Sequence, residues 1–187
     1  MSLNFVAVDF ETANQHHASI CAMGLVKVSD GEIAARFSTP IRPPHGLDYF
    51  SEINTHIHGM TEEDIKTAPI LPMAFLSAYT EYMPDNEVFV AHRASSADMS
   101  MLRKGLGIYD IPMPPNSWLD SWEIAKRYVP GLKNYRLTTV AKELGVYEKG
   151  HHDPVVDAEM SARIVLEIAR LNGIDSIYEF NATALHP

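Results

Sequence analysis

Short apolar runs separated by polar turns dominate the first part of the chain. Residues 5–9, 20–28 and 33–41 are such runs, and runs of this length bounded by turn residues are typical of buried β-strands. Asp30-Gly31 separates the second run from the third, which predicts a tight turn between two paired strands. Residues 88–91 form a further apolar run. We therefore expect three adjacent early strands and a fourth strand farther along the chain.

Segments with helical character fill most of the second part of the chain. Thr61 precedes three acidic residues, which is typical of a helix start with acids in its first turn. The longest predicted helix starts at Pro154, because proline is favoured at the first helical position, and it stops at Asn172-Gly173. The other predicted helices cover residues 72–82, 99–104, 122–128 and 137–144, and Leu119 ends a short strand. This order predicts an α/β fold with a central mixed β-sheet flanked by α-helices.

Length and composition predict one domain. The chain has 187 residues, of which 46% are hydrophobic, and this is enough for one full core. We expect a single domain over residues 1–187, with a core at about 5–171 and a short C-terminal tail at 174–187. No apolar stretch approaches the length of a membrane span and the N-terminus has no basic leader, so a cytoplasmic protein without a membrane partner is expected.

The net charge and the available metal-ligand residues restrict the kinds of binding site that the chain can form. The chain has 15 Lys and Arg against 24 Asp and Glu, and this net charge of -9 disfavours binding of long duplexes by phosphate neutralisation alone. Cys21 is the single cysteine, which excludes an internal disulfide framework and a four-cysteine zinc site. The pairs His16-His17 and His56-x-His58 lack further ligands at useful spacing, which disfavours zinc there.

Asp9 and Glu11 lie at the end of the first predicted strand. Alternate residues of a strand face the same side, so both carboxylates point one way. Two carboxylates this close repel each other unless a cation sits between them, which predicts a metal site. The alternative is a pair of exposed acids at a strand end.

A second group of candidates surrounds the start of the longest helix. Asp153 precedes Pro154 and is a good N-cap, which places Asp157 one turn inside the helix and His152 on the loop before it. A histidine has a suitable pKa to accept a proton near neutrality. The alternative is an exposed loop histidine and an Asp that stabilises the helix dipole.

These segments together resemble the DEDD exonuclease superfamily, in the His-containing branch typified by the proofreading epsilon subunit of bacterial DNA polymerase III. Asp9-x-Glu11-Thr12 matches the first motif, and His152-x-x-x-x-Asp157 matches the third. Ile57-His58-Gly59-Met60-Thr61 resembles the hydrophobic-His-Gly-hydrophobic-Thr segment of the family. The resemblance covers roughly residues 5–171, with the motifs in the family's order. It implies an RNase H-like fold.

The second motif departs from the family, which usually has Ala-His-Asn-Ala, one further residue, then Phe-Asp. Here Arg93 stands where Asn is expected, no Phe precedes the acid, and one extra residue lies between Ala91 and Asp98. The resemblance still assigns Asp98 as a metal ligand, with the extra residue taken up by a loop bulge or an early helical turn. A helix cap is the other role open to Asp98.

Two divalent ions, Mg2+ or Mn2+, are implied by the resemblance, and oxygen-only ligands suit these hard cations. In this scheme Asp9 bridges the ions, Glu11 and Asp157 complete the shell of one, and Asp98 anchors the other directly or through water. His152 takes the proton of the attacking water. Contacts to the substrate are implied for five further residues: Thr12, Ile57, His58, Met60 and Arg93.

The function implied is a metal-dependent 3′–5′ exonuclease that removes nucleoside 5′-monophosphates from the 3′ end of single-stranded nucleic acid, with DNA favoured. A local excess of cations from Arg93 to Lys142, eight Lys or Arg against four Asp or Glu, fits a short single strand as partner. Solvated helix faces explain that excess equally well. One alternative is a ribonuclease that trims 3′ ends or degrades oligoribonucleotides. An alternative of another class is a catalytically weak nucleic-acid-binding module, and a polymerase partner or a homo-oligomer stays open.

Overall fold

The structure is a computed structural model that describes residues 3–83 and 87–180. Five strands form one sheet. They are β1 (Phe5–Thr12), β2 (Ile20–Ser29), β3 (Glu32–Pro40), β4 (Val88–Ala91) and β5 (Trp118–Asp120). The helices are α1 (Glu52–His58), α2 (Glu62–Ile65), α3 (Leu71–Tyr82), α4 (Asp98–Gly107), α5 (Ser121–Tyr128), α6 (Leu137–Glu143) and α7 (Pro154–Asn172), followed by a 3-10 helix at Ile177–Phe180.

The strand order in the sheet is β3-β2-β1-β4-β5. β1 pairs antiparallel with β2, and β2 pairs antiparallel with β3, while β4 runs parallel to β1 and to β5. The predicted mixed sheet flanked by helices is therefore confirmed. The predicted strands and helices also occur, with boundaries that differ by no more than three residues, whereas α1 and the 3-10 helix were not predicted.

Helices cover both faces of the sheet because β1 is apolar on both sides. Phe5 and Ala7 pack into a core cluster with α5, α6 and α7, whereas Val6, Val8 and Phe10 pack into a second cluster with α3 and α4. Side chains of a strand alternate between the two faces. Continuing this alternation along β1 places Asp9 and Glu11 on the α7 side.

The C-terminal residues differ from the expected tail. Ile174, Ile177 and Phe180 are buried in the cluster that contains α7. Burial of three large apolar side chains explains why the chain continues to pack after Gly173 ends α7 in a left-handed conformation. The predicted tail therefore does not begin at residue 174, and its last part, residues 181–187, lies outside the described residues.

None of the helices in residues 3–83 and 87–180 combines the length and the apolar character needed to cross a bilayer.

One glycine controls how closely α7 approaches the sheet. Gly24 lies in β2 directly opposite Asp9, and a Cβ at this position would overlap the backbone of Pro154, at the start of α7. The contact involves backbone atoms, so no side-chain rotation can relieve an overlap here. Gly24 therefore sets the distance between the first turn of α7 and the end of β1.

Replacing Gly24 by alanine should destabilise the protein by about 2 kcal/mol or more, because overpacking of a rigid contact typically costs about 1–3 kcal/mol. The matched control is Gly107→Ala at the end of α4, where an added Cβ meets no atom within 4 Å. This change should be neutral or stabilising by up to about 1 kcal/mol. Urea unfolding of both variants measures the difference, and equal stabilities would contradict the role given to Gly24.

Candidate active site

Three carboxylates from two elements meet at the end of β1. Ligand oxygens of Asp9, Glu11 and Asp157 all lie within 4.8 Å of one another. Asp9 and Glu11 are partly buried, and the side chain of Asp157 is almost fully buried. The structure therefore brings together the first and third motifs, which are about 150 residues apart in the chain.

The start of α7 positions Asp157 as the sequence predicted. The side chain of Asp153 accepts a hydrogen bond from the backbone N–H of Val155 at 3.1 Å, and Pro154 is the first helical residue. Asp157 follows one turn later on the side of the sheet. Its carboxylate thus reaches Asp9 and Glu11 across the close contact at Gly24.

Asp98 lies beside this group, on α4, but its oxygens are not among those that lie within 4.8 Å of one another. It is the first residue of α4, it is buried, and its Oδ1 accepts the backbone N–H of Phe10 at 3.1 Å. β4 pairs with β1 only as far as Ala7, so this N–H of β1 has no strand partner on that side. Asp98 thus accepts the backbone N–H that β4 leaves without a partner, and its negative charge raises the pKa of Asp9.

The extra residue of the second motif is absorbed by a wide turn. Residues 92–97 form turns, Arg93 has a left-handed backbone with φ of 65°, and the N–H of Met99 donates to the carbonyl of Ala94 at 2.9 Å. This bond spans five residues instead of the four of an α-helix. The hydroxyl of Ser96 donates to the carbonyl of Arg93 at 3.2 Å, as expected for a serine in an irregular turn.

Burial and mutual repulsion make these acids hard to ionise without a cation. The pKa of Asp9 is raised well above its ordinary value, first by burial and then by the charges of Asp98, Asp157 and Glu11. Burial and the charge of Asp157 raise the pKa of Glu11 to about 8. Burial also raises the pKa of Asp98 to about 7. A divalent cation would remove this repulsion, since it would lie among several negative charges.

The donor set fits hard divalent cations. Asp9, Glu11 and Asp157 offer only carboxylate oxygens, which Mg2+ and Mn2+ prefer. Both helices that contribute acids also begin at the site, because Asp98 and Asp157 lie in the first turns of α4 and α7. The helix dipoles favour the ionised acids there.

His152 lies at the edge of the carboxylates. Its Nδ1 is 3.8 Å from Oε1 of Glu11, and its backbone N–H donates to Oδ2 of Asp157 at 3.1 Å. Its side chain is 38% exposed, so solvent reaches the ring. Burial lowers the pKa of His152, and the neighbouring His151 lowers it further. A neutral imidazole with open access is suited to accept a proton.

His151, which the sequence analysis did not single out, also faces the site. Its Nδ1 lies 2.7 and 2.9 Å from the two carboxylate oxygens of Asp157. Its ring stacks on that of His152 with centroids 3.8 Å apart. The only signal in the sequence was its position next to His152, since a histidine six residues before an Asp matches no recognised spacing.

A cavity of about 370 Å³ opens beside the two histidines. Its lining includes Ile57, His58 and Met60, so the structure brings these predicted substrate contacts to the site. His58 has both ring nitrogens engaged: Nε2 donates to the carbonyl of Thr12 at 3.2 Å, and Nδ1 accepts the N–H of Met60 at 3.1 Å. His58 thus holds this wall of the cavity together, and Thr12 contributes its backbone carbonyl to the same network.

Asn54 also binds Thr12, and the sequence analysis missed it. Its Nδ2 donates to the carbonyl of Thr12 at 2.8 Å and lies 3.2 Å from the Thr12 hydroxyl. It belongs to α1, where Ser51 is the N-cap and accepts the N–H of Asn54. Ser51 followed by an acid was the available signal for this helix start.

Arg93 is exposed and lies outside the residues that line the cavity. Its backbone N–H donates to Asp120, and its guanidinium lies 5.8 Å from the centre of the Trp122 ring. Lys126 approaches the same ring at 4.2 Å. Arg93 therefore belongs to a patch of two cations on one aromatic ring, at the end of β4 and the start of α5.

Among the described residues, the groups able to hold a metal all contain Asp157. Neither His16-His17 nor His56-x-His58 contributes to one of these groups.

Comparison with known proteins adds independent findings. The family model described as Exonuclease (RNase_T) matches residues 6–165. A DNA polymerase III of the PolC type from Oceanobacillus iheyensis is 30% identical over 168 residues, which cover 89% of this chain and 11% of that protein. The corresponding protein of Caldanaerobacter subterraneus subsp. tengcongensis is 31% identical over 97% of this chain and 13% of its own length. The chain thus spans only about a tenth of these curated relatives.

Solved structures share the fold. Exonuclease X in complex with 5′ overhanging duplex DNA superposes with a TM-score of 0.72 and 24% identity, over 90% of this chain and 93% of that chain. The nuclease domain of 3′hExo, a DEDDh family member bound to rAMP, gives a TM-score of 0.75 and 17% identity, over 92% and 94% of the two chains. The predicted RNase H-like fold is therefore confirmed.

The raised carboxyl pKa values predict that the metal-free protein loses stability as the pH rises. Glu11 and Asp98 return to ordinary values near 4.5 and 3.8 on unfolding, so the folded state binds more protons up to about pH 8. We expect the free energy of unfolding to fall by about 1 kcal/mol per pH unit between pH 6.5 and 8. Histidines with lowered pKa values act in the opposite direction, because the unfolded chain binds more protons on them near pH 6.5, and this effect is confined to the lower end of the window.

Urea unfolding in EDTA at several pH values measures this slope. Asp9→Asn is the matched variant, because it removes one of the interacting charges and should reduce the slope. Saturating Mg2+ should raise the stability and flatten the curve, since a bound ion favours the folded state. A metal-free stability that is constant or rises over this window would contradict the electrostatic description.

Proposed function

The chain belongs to the exonuclease family whose model matches residues 6–165, and on this basis we propose that it is a metal-dependent 3′–5′ exonuclease of the His-containing DEDD type. Its substrate is the 3′ end of single-stranded nucleic acid, and DNA is favoured. The single observation that carries the proposal is the convergence of Asp9, Glu11 and Asp157 within 4.8 Å, with His152 at their edge. An assembly of oxygen ligands beside a solvent-accessible base fits phosphodiester hydrolysis.

Asp9, Glu11 and Asp157 would hold the divalent ions, Mg2+ or Mn2+, together with Asp98. When bound, such ions lower the pKa of an attacking water and stabilise the negative charge of the leaving oxygen. The protein supplies the fixed positions of the ligands. Asp98 is held by the N–H of Phe10, and Asp157 is held by the N–H of His152, so neither carboxylate has to be ordered when ions arrive.

His152 accepts the proton of the attacking water. Its ring is 38% exposed and next to Glu11, so it can return this proton to solvent after each turnover. The backbone of His152 has a left-handed conformation with φ of 78°, which turns the loop so that its N–H faces Asp157 while its ring faces Glu11. The products are a nucleoside 5′-monophosphate and a chain shortened by one nucleotide.

The terminal nucleotide occupies the cavity beside the histidines. Ile57 and Met60 offer apolar contacts to a base, and His58 offers the face of its ring, since both of its nitrogens are engaged. Farther from the site, Arg93 and Lys126 flank Trp122, and a cationic aromatic surface is suited to a single strand. Arg93 would contact a phosphate there.

DNA is favoured because the curated relatives are DNA polymerases III. RNA is the second candidate, because a similar nuclease domain is described as bound to rAMP. The hydrolysis assay that tests the proposal therefore uses both DNA and RNA. The alternative of a catalytically weak binding module rested on the altered second motif. The buried position of Asp98 at the end of β1, with its charge acting on Asp9, supports an active enzyme instead.

Asp9→Ala should abolish hydrolysis and leave the fold intact. The change removes a carboxylate that the proposed ions need, and it relieves repulsion, so the metal-free variant should be at least as stable as the wild type. Stepwise shortening of 5′-labelled single-stranded DNA and RNA with Mg2+ or Mn2+ measures the activity. The control is Glu143→Gln on the exposed end of α6. Equal rates for wild type and Asp9→Ala would refute the proposed function.

His152→Ala should lower the rate constant at neutral pH about a hundredfold or more, with a much smaller effect on KM, as expected for loss of a general base. His151→Ala should have a smaller effect on the rate constant, because the family spacing assigns the base to His152. Single-turnover rates at saturating DNA compare the two variants. If both lose the same activity, or if His151→Ala is the more damaged, the assignment of the base is wrong.

A further inference from the structure

A second group of metal-ligand atoms overlaps the carboxylates of the site. Ligand atoms of His151, His152 and Asp157 all lie within 4.8 Å of one another. This group differs from the first in its chemistry, since it contains two imidazole nitrogens. Asp157 belongs to both groups, so its carboxylate cannot fully coordinate one ion in each group at the same time.

The distances among these atoms are close to those of a zinc site. Zinc binds histidine and carboxylate ligands at about 2.0–2.2 Å in a tetrahedron, which places neighbouring ligand atoms about 3.3 Å apart. Nδ1 of His151 is 2.7 and 2.9 Å from the oxygens of Asp157. Nδ1 of His152 is 3.8 Å from Oε1 of Glu11. Rotation of the two imidazoles out of their stacked arrangement would let both nitrogens and both carboxylates face one ion.

Ligand type separates this set from the magnesium ligands. Mg2+ prefers oxygen ligands, whereas imidazole favours Zn2+ and related transition metals. Nδ1 of His151 already lies 2.7 Å from a carboxylate oxygen of Asp157. The two positive charges of an ion bound between these ligands would also offset the repulsion among the acids.

We propose that His151, His152, Asp157 and Glu11 form a binding site for Zn2+, and that its occupation inhibits the exonuclease. The inhibitory part rests on the proposed function. Zinc at this site would use the lone pair with which His152 accepts a proton, and it would divert Asp157 and Glu11 from the magnesium ions. The chain would therefore be inactive with zinc bound, and excess Mg2+ would compete by occupying the shared carboxylates.

His45 provides a matched control within the same chain. Its Nδ1 lies 3.9 Å from a carboxylate oxygen of Asp48, but its side chain is fully exposed. Neither residue belongs to a group of three ligands among the described residues. His45→Gln therefore removes a histidine beside an aspartate without removing the proposed site.

Direct binding tests the site without any reaction. Zn2+ is titrated into the metal-free full chain by calorimetry, and Co2+ is followed by its visible absorption, for wild type, His151→Gln, His152→Gln and His45→Gln. We expect each of the first two substitutions to weaken Zn2+ binding at least tenfold, because even outer partners of metal ligands typically contribute about 10–100-fold. His45→Gln should bind as the wild type does. Unchanged affinity and cobalt spectrum in both His151→Gln and His152→Gln would overturn the site.

Inhibition is measured separately on Mg2+-dependent hydrolysis, with each variant compared with its own rate without zinc. His151→Gln should raise the zinc concentration for half-inhibition at least tenfold, and so should excess Mg2+ in the wild type. Zinc that binds through His151 yet leaves hydrolysis unchanged or supports it would overturn the inhibitory role. A chain without Mg2+-dependent hydrolysis but with His151-dependent zinc binding would refute the proposed function and leave the zinc site standing.

Discussion

The contact between Gly24 and the backbone of Pro154 is the constraint on which the site depends. Asp157 lies on α7, Asp9 and Glu11 lie on β1, and β2 provides the point at which the helix meets the sheet. Any side chain at Gly24 would push the first turn of α7 outward and carry Asp157 with it. The position of Asp157 relative to Asp9 and Glu11 thus depends on one residue that has no side chain and that lies outside the group of carboxylates.

This close packing has an electrostatic cost, which the fold tolerates. Burial and neighbouring negative charges raise the pKa values of Asp9, Glu11 and Asp98, so the metal-free protein is less stable than its packing alone would allow. The N–H groups of Phe10 and His152 and the first turns of α4 and α7 reduce this cost but do not remove it. In the proposed function, divalent cations would therefore have two effects: they would take part in the reaction, and they would relieve the repulsion among the carboxylates.

The sequence predicted those parts of the site that local rules control. The alternation of β1 placed Asp9 and Glu11 on one side, and the Asp153-Pro154 start of α7 placed Asp157 one turn in, as observed. Such local rules do not predict contacts between segments that are far apart in the chain. The contact at Gly24, the bond from Asn54 to Thr12 and the burial of Phe180 each join segments far apart in the chain. The resemblance to exonucleases supplied the order of the motifs, but it contained no information on His151.

The turn before α7 explains why His151 escaped prediction. Adjacent side chains in a strand point to opposite faces, and in a helix they diverge by about 100°. Gly150 and His152 both have positive φ values, 107° and 78°, and the N–H of Asp153 donates to the carbonyl of Gly150. This reversal stacks the rings of His151 and His152 and aims both at the carboxylates. The conformation that brings the imidazole of His152 to the carboxylates therefore brings a second imidazole with it, so the proposed general base and the proposed zinc site would both depend on the same turn.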